Sequence, residues 1–220
     1  MNYQNRILCY FDILGFGDNV KNKTKEANEI NQLFEEIASI IEDYRHDEND
    51  IQISHFSDSF VISILKPQNA PTQLKFVVSI LIKLLEYQLI ARGAVVYGEL
   101  IHTSKHIFGP ALVNAHNLEK NDLFPRIIID ESISNLIIPT IGNHQISYGD
   151  FFNDFAYVKM DSTDNKKYID FIGEVNKKKE ATLKNELIET IKRLIDKHIN
   201  NENLSTKYEW LRIKLKEYNY

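Results

Sequence analysis

The chain has 220 residues, 43% apolar, 26% charged and 11% aromatic, with a formal net charge of −5. That composition excludes a wholly disordered chain, and the acidic balance argues against a strongly basic nucleic-acid binder. The single cysteine, Cys9, can form neither an internal disulfide nor a cysteine-rich zinc site. A reducing, cytoplasmic location is expected on that account, and Met-Asn-Tyr-Gln-Asn-Arg lacks the apolar stretch of a signal peptide. The greasiest region, Leu74 to Ile90, is broken by Lys75, Lys83 and Glu86. It falls short of the about 18 apolar residues of a membrane span, so no membrane partner is expected.

In chain order, Ile7–Phe11 reads as a buried strand ending in Asp12 and the glycine-bearing turn Leu14-Gly15-Phe16-Gly17. Thr24 to Tyr44 carries apolar residues at helical spacing, with Thr24 as N-cap. Ile51–Phe56 and Ser59–Leu65 read as a hairpin with Ser57-Asp58 at its tip. A helix from Thr72 to Ile90 follows, then a strand Arg92–Ile101 bent at Gly98. Past His106, Gly109-Pro110 opens a short helix reaching Lys120. Arg126–Ile129 is a short strand, and Ala156–Met160 with Lys167–Ile172 flank the polar turn Ser162 to Asn165 as a second hairpin. Helices over Lys178–Asn200 and Thr206–Tyr218 complete the chain. This order predicts an α+β fold: one mixed or antiparallel sheet with helices packed on it.

Two aspartates stand out, each at a strand end or turn. If the first strand neighbours the hairpin, Asp12 and Asp58 emerge at one edge of the sheet. Two carboxylates plus backbone oxygens make a hard-oxygen site for Mg²⁺ or Mn²⁺, completed by substrate phosphates. The blander alternative is that each aspartate serves its own turn. The loop Ile13–Gly17 can present backbone N–H groups to an anion, because glycine allows the dihedrals required. The seven histidines show no HExxH spacing, and no GxSxG elbow supports a hydrolase triad.

Together these segments resemble the class III nucleotidyl cyclase catalytic domain. Phe11-Asp12-Ile13-Leu14-Gly15-Phe16 is similar to the family's first strand and metal loop, and Phe56-Ser57-Asp58 to the hairpin bearing its second metal aspartate. Arg92-Gly93 through Gly98-Glu99 resembles the following strand, and Phe108-Gly109-Pro110 through Asn117-Leu118-Glu119 the family's glycine-led helix. The resemblance implies a ferredoxin-like, palm-type fold, with a catalytic domain over residues 1–175 and a helical extension over 176–220 packed on it. It implies that Asp12, Asp58 and the Ile13 carbonyl hold two Mg²⁺ or Mn²⁺ ions, and that Leu14, Gly15 and Phe16 contact the phosphates of a nucleoside triphosphate. A head-to-tail homodimer sharing its two sites is implied as well.

The departures concern base and cation. The purine-reading positions hold Ser54 and His106, which matches neither the adenine nor the guanine pattern. The slot of the transition-state arginine holds Asn117, leaving Lys120, Arg126 and Lys159 as replacement cations. Of these, Lys159 lies in Tyr157-Val158-Lys159, similar to the family's late strand with a phosphate-binding lysine. The altered base positions resemble the compact bacterial pyrimidine cyclases of antiphage signalling, which make cyclic UMP or cyclic CMP. Three functions therefore stand: a cyclase using UTP or CTP, an inactive cyclase-like nucleotide-binding or scaffold protein, and a palm-type oligonucleotide synthase.

Overall fold

Strand β1 (Gln4–Ile13) sorts its side chains by the two-residue strand period: Ile7, Cys9, Phe11 and Ile13 face one side, Leu8, Tyr10 and Asp12 the other. Both faces are buried over most of its length, which explains the near-continuous apolar run. A computed structural model describes residues 2–45, 50–65, 74–135, 157–202 and 204–220. The expected helix start at Thr72 and strand start at Ala156 lie outside them.

The described strands besides β1 are β2 (Ile51–Phe56), β3 (Ser59–Ile64), β4 (Ala91–His102), β5 (Ile107–Phe108), β6 (Ile127–Ile129), β7 (Val158–Met160) and β8 (Lys167–Ile169). They form one eight-stranded sheet in the order β2-β3-β1-β4-β6-β8-β7, with β5 paired to β4. β4 and β6 run parallel and the other pairs antiparallel, so the sheet is mixed. The fold is α+β, as expected.

Helices cover the sheet unequally. The odd-numbered face of β1 packs into a large core with α2 (Ala27–Asp43), α3 (Lys75–Glu86), α5 (Phe171–Asn176), α6 (Ala181–His198) and α7 (Ser205–Glu217). The other face meets α4 (Pro110–Asn121), whose Ala111 and Ala115 lie over Leu8, Tyr10, Ala94 and Val96. Two small residues let the helix approach the sheet closely. Among the described residues no helix is long and apolar enough to cross a membrane.

Several expectations are corrected. The turn after Asp12 continues into a short helix α1 (Phe16–Lys21), with Gly15 in the left-handed region at φ 73°. Thr24 caps nothing: α2 begins after Glu26, and the Thr24 hydroxyl bonds the Asn19 side chain at 2.7 Å. The strand expected to reach Ile172 stops at Ile169, because the Asp170 carboxylate accepts the Gly173 N–H and caps α5. Gly93 is required for a reason periodicity does not show. A Cβ there would run into the Tyr10 carbonyl and the Phe11 backbone.

The carboxy-terminal helices are tied in by a buried charge cluster. The fully buried Arg126 bonds Asp122 (2.9 Å), Asp161 (2.7 Å) and Asp164. From α7, Trp210 donates its indole N–H to Asp161 at 2.6 Å and stacks on Phe124, while Lys214 reaches Asp161 at 3.3 Å. Burial alone would raise the Asp161 carboxyl. The Thr163 amide, Trp210 and Lys214 instead hold it down at about 2. Removing the guanidinium strands three carboxylates around one point. Arg126→Met should therefore cost about 3–5 kcal/mol of unfolding free energy in urea titration, whereas Arg212→Met, on the exposed side of α7, should change it by less than about 1 kcal/mol.

Candidate functional site

Asp12 ends β1 on the α4 face, between Ser59 of β3 and Arg92 of β4 in register. Beside it, Ser57 at φ 56° and Asp58 make the two-residue turn of the β2–β3 hairpin. The Ile13 N–H donates to the Asp58 carbonyl at 3.0 Å, so the end of β1 and the hairpin tip are joined directly. The sheet thus brings Asp12 and Asp58 together. Ser59 donates to an Asp12 carboxylate oxygen at 2.9 Å and receives the Tyr10 hydroxyl at 3.3 Å. Half-burial raises the Asp12 carboxyl above its ordinary value. Asp58 and Glu119 add to the rise, against the Ser59 bond and Arg92. An anion pushed up by burial and by a neighbouring carboxylate is one that a cation would stabilise.

Among the described residues no group of three or more His, Cys, Asp and Glu side chains could hold a metal ion. The Asp12–Asp58 pair still suits a hard divalent cation, which takes few protein ligands and completes its shell with water and phosphate oxygens. Neither the Ile13 nor the Leu14 amide is free to meet a phosphate. The first goes to Asp58 and the second to the Ile90 carbonyl at 2.9 Å. Backbone donors in this loop are therefore those of Gly15, Phe16 and Gly17, at the start of α1.

Ser54 is engaged by a histidine that the sequence analysis did not single out. His102 Nε2 lies 2.9 Å from Ser54 Oγ and its Nδ1 lies 2.8 Å from Ser63 Oγ. Ser63 in turn accepts from Arg6 Nε at 2.8 Å, and Arg6 pairs with Asp50 at 2.8 Å. The Ser63 hydroxyl thus accepts from Arg6 and shares a hydrogen bond with Nδ1, while Nε2 shares one with Ser54. A neutral ring donates from one nitrogen and accepts at the other, so the two serines play opposite parts toward His102. This contact also shows how β4 runs. Ser54 pairs with Val61, Val61 with Tyr10 and Tyr10 with Ala94. A straight strand would carry His102 about 27 Å past Ala94. β4 must therefore curl back over the sheet in the span containing Gly98, in line with the expected bend.

The remaining sites scatter within one chain. His106 is exposed in the Thr103–His106 turn, beyond the far end of β4 from Arg92. Asn117 is exposed on α4. Lys159, on β7, lies four strands from β1, about 19 Å across the sheet. It is engaged by Asp170 at 3.4 Å and by the Tyr218 ring at 4.1 Å. Arg126 is fully committed to its carboxylates and drops out as a replacement cation.

Two cations that sequence inspection passed over place positive charge near Asp12. Arg92, beside Asp12, grips Glu119 and the Asp122 carbonyl. The Lys207 ammonium on α7 is lowered by burial and by Arg92, against the pull of Glu119 and Asp12. Lys207 stands 195 residues after Asp12, and no spacing rule links them.

No protein-family model and no curated protein matches the chain. Solved structures with the same fold do. The monomeric guanylyl cyclase domain of the RhoGC fusion protein from the aquatic fungus Blastocladiella emersonii is 14% identical, with a TM-score of 0.52 over 77% of this chain and 96% of that one. A non-canonical dimeric form of that domain gives 14% and 0.52 over 77% and 94%. The catalytic core of a rhodopsin-guanylyl cyclase with converted specificity, in complex with ATPαS, gives 12% and 0.50 over 77% and 97%. The fold is that of the cyclase catalytic domain.

Burial, followed by Arg6, pulls the His102 imidazole down to about 4. The unfolded chain takes up this proton near pH 6.5 and the folded chain only near 4. The stability contributed by the neutral ring is therefore complete above pH 6.5 and lost as pH falls through that window, about 3 kcal/mol in all. In His102→Asn, unfolding free energies from urea titration should lose that slope between pH 6.5 and 4.

Proposed function

We propose that the chain is a nucleotidyl cyclase that converts a nucleoside triphosphate to a 3′,5′-cyclic nucleotide and pyrophosphate. The observation that carries this reading is the Asp12–Asp58 pair, joined through Ile13 where β1 and the β2–β3 hairpin end in a cyclase-type sheet. Asp12, Asp58 and the Ile13 carbonyl would hold two Mg²⁺ or Mn²⁺ ions. Bound there, such ions neutralise the triphosphate and favour ionisation of the ribose 3′-hydroxyl. Ser59 keeps the Asp12 carboxylate turned toward the hairpin. The start of α1 offers amides to the phosphates. The 3′-oxygen bonds to the α-phosphorus, the bond to the β-phosphate oxygen breaks, and pyrophosphate leaves with that electron pair while the 3′ proton passes to solvent.

Base choice would rest on Ser54. At the end of the Arg6–Ser63–His102 chain its hydroxyl is held against the imidazole, from where it can serve a base edge as donor or acceptor. A hydroxyl where purine cyclases carry a charged group favours UTP or CTP, with an antiphage second messenger as the product's role. Self-association is supported by Phe56 (85% exposed), Val113 (61%), Tyr3 and Phe108, large apolar groups left in water. A head-to-tail homodimer would cover them and bring His106, Asn117 and Lys159 of one copy toward Asp12 of the other.

A second reading, a cyclase-fold protein that binds nucleotide without turnover, is favoured by the commitment of Arg126 to three carboxylates. Losing a cation aimed at the transferring phosphoryl group is costly. Incubation with Mn²⁺ and each of ATP, GTP, CTP and UTP, with products read by mass, separates the two. A cyclic pyrimidine product is expected. Asp12→Asn and Asp58→Asn should each lower its rate by about a hundredfold or more without unfolding the chain. Undiminished turnover in either variant would remove the two-metal reading.

The shared site has its own test. Asp12→Asn and Lys159→Met are each expected to be inactive. Mixed in equal amounts with free exchange, half the dimers pair the two variants and one of their two sites is intact, giving roughly a quarter of wild-type activity. No recovery despite demonstrated subunit exchange would mean that each site is built within one chain.

A further inference from the structure

Helices α6 and α7 do more than bury Trp210. With the Leu14–Gly15 turn and α1 they enclose a cavity of about 590 Å³. Arg193 and Lys197, one turn apart on α6, line it from one side, and Lys207 of α7 lines it from another. Among the described residues none of the three has a carboxylate partner. Arg193 touches only the Glu189 carbonyl at 3.4 Å and the Thr190 hydroxyl at 3.0 Å. The other lining charges do not neutralise them: Lys25 is paired with Glu29 at 2.5 Å, and Asp18 is the single lining carboxylate among the described residues.

Helix dipoles do not account for these cations. Lys197 at the end of α6 is favoured there. Arg193 lies a turn further in. Lys207 is the third residue of α7, where the positive end of the helix disfavours a cation, and it is half-buried as well. Three cations around one cavity, none in an ion pair among the described residues and one held against its own helix, suit a ligand with several negative charges. The glycine at the mouth leaves the backbone open to close approach: nothing lies within 4 Å of where a Gly15 Cβ would stand.

We propose that this cavity is a polyphosphate site, in which Arg193, Lys197 and Lys207 grip the phosphate chain within a single subunit. Its mouth at Leu14–Gly15 adjoins the Asp12 strand end, so the chain could be the tail of a nucleoside triphosphate or free pyrophosphate. Only the ligand's identity rests on the cyclase reading. The arrangement assigns the carboxy-terminal helices a part in binding.

The test is calorimetric titration of the full chain with inorganic pyrophosphate in EDTA, which silences any metal-dependent binding at Asp12 and Asp58. Nonhydrolysable UTP and CTP analogues are titrated in parallel. Wild type should bind one pyrophosphate per chain, and Lys207→Met and the double variant Arg193→Gln/Lys197→Gln should each bind about tenfold more weakly or worse. Circular dichroism melts should match wild type, since all three side chains reach solvent. A loss shared by the analogues assigns the nucleotide tail, and a loss confined to pyrophosphate assigns the free anion. No pyrophosphate binding by wild type, or unchanged affinity in both variants, overturns the proposal. Because the readout needs no turnover, the two ideas fail separately. Pyrophosphate bound through these cations by a chain that cyclises nothing would keep the site and remove the cyclase reading. Cyclisation with unaltered KM and pyrophosphate affinity in the variants would do the reverse.

Discussion

The register of β1 between β3 and β4 is the constraint on which the rest of the structure depends. Side chains alternate along a strand, so a slip of one residue would turn Asp12 into the large core and push Phe11 and Ile13 toward α4. Three features hold that register. Phe11 stacks on Phe60 at a centroid distance of 5.0 Å, Ile13 donates to the Asp58 carbonyl, and the bare Gly93 backbone lies against Tyr10 and Phe11. Each acts on the backbone or the core face. The solvent-facing end of the row, Asp12 with Ser59 and Arg92, is thereby left free for chemistry.

Charge is partitioned along the sheet. At the β6–β8 side, Arg126 is surrounded by acids and fully buried, and serves to dock α7 through Asp161. At the β1–β3 side two aspartates stand half-exposed beside Glu119, so negative charge accumulates where an external cation could relieve it. Across the Leu14–Gly15 turn, α6 and α7 present Arg193, Lys197 and Lys207, which form no ion pair among the described residues. Charge of opposite sign is thus divided between the end of β1 and the wall formed by α6 and α7.

The polar chain from Arg6 through Ser63 and His102 to Ser54 depends on the curl of β4. Arg6 and Ser63 are fully buried, so each of their polar atoms needs a partner. Those partners come from Asp50, before β2, and His102, at the end of β4. A buried neutral imidazole with both nitrogens occupied holds the Ser54 hydroxyl in place. That gives the residue a fixed position that a freely solvated serine would lack.

The sequence by itself determined the strand period of β1, the hairpin with Asp58 at its tip, the Gly109-Pro110 helix start and the long amphipathic helices. These follow from local backbone chemistry and from apolar spacing within one element. It also made Asp12 and Asp58 legible, because a carboxylate that ends a buried strand or tips a hairpin is conspicuous against its neighbours. Only the tertiary structure decided that Ser54 meets His102 rather than His106, that Arg126 is consumed by acids, and that Lys207 lines a cavity beside the Leu14–Gly15 turn. Those outcomes depend on how far a strand curls and on which helix covers which strand end. Such distances are set by packing between residues far apart in the chain, and no local period records them.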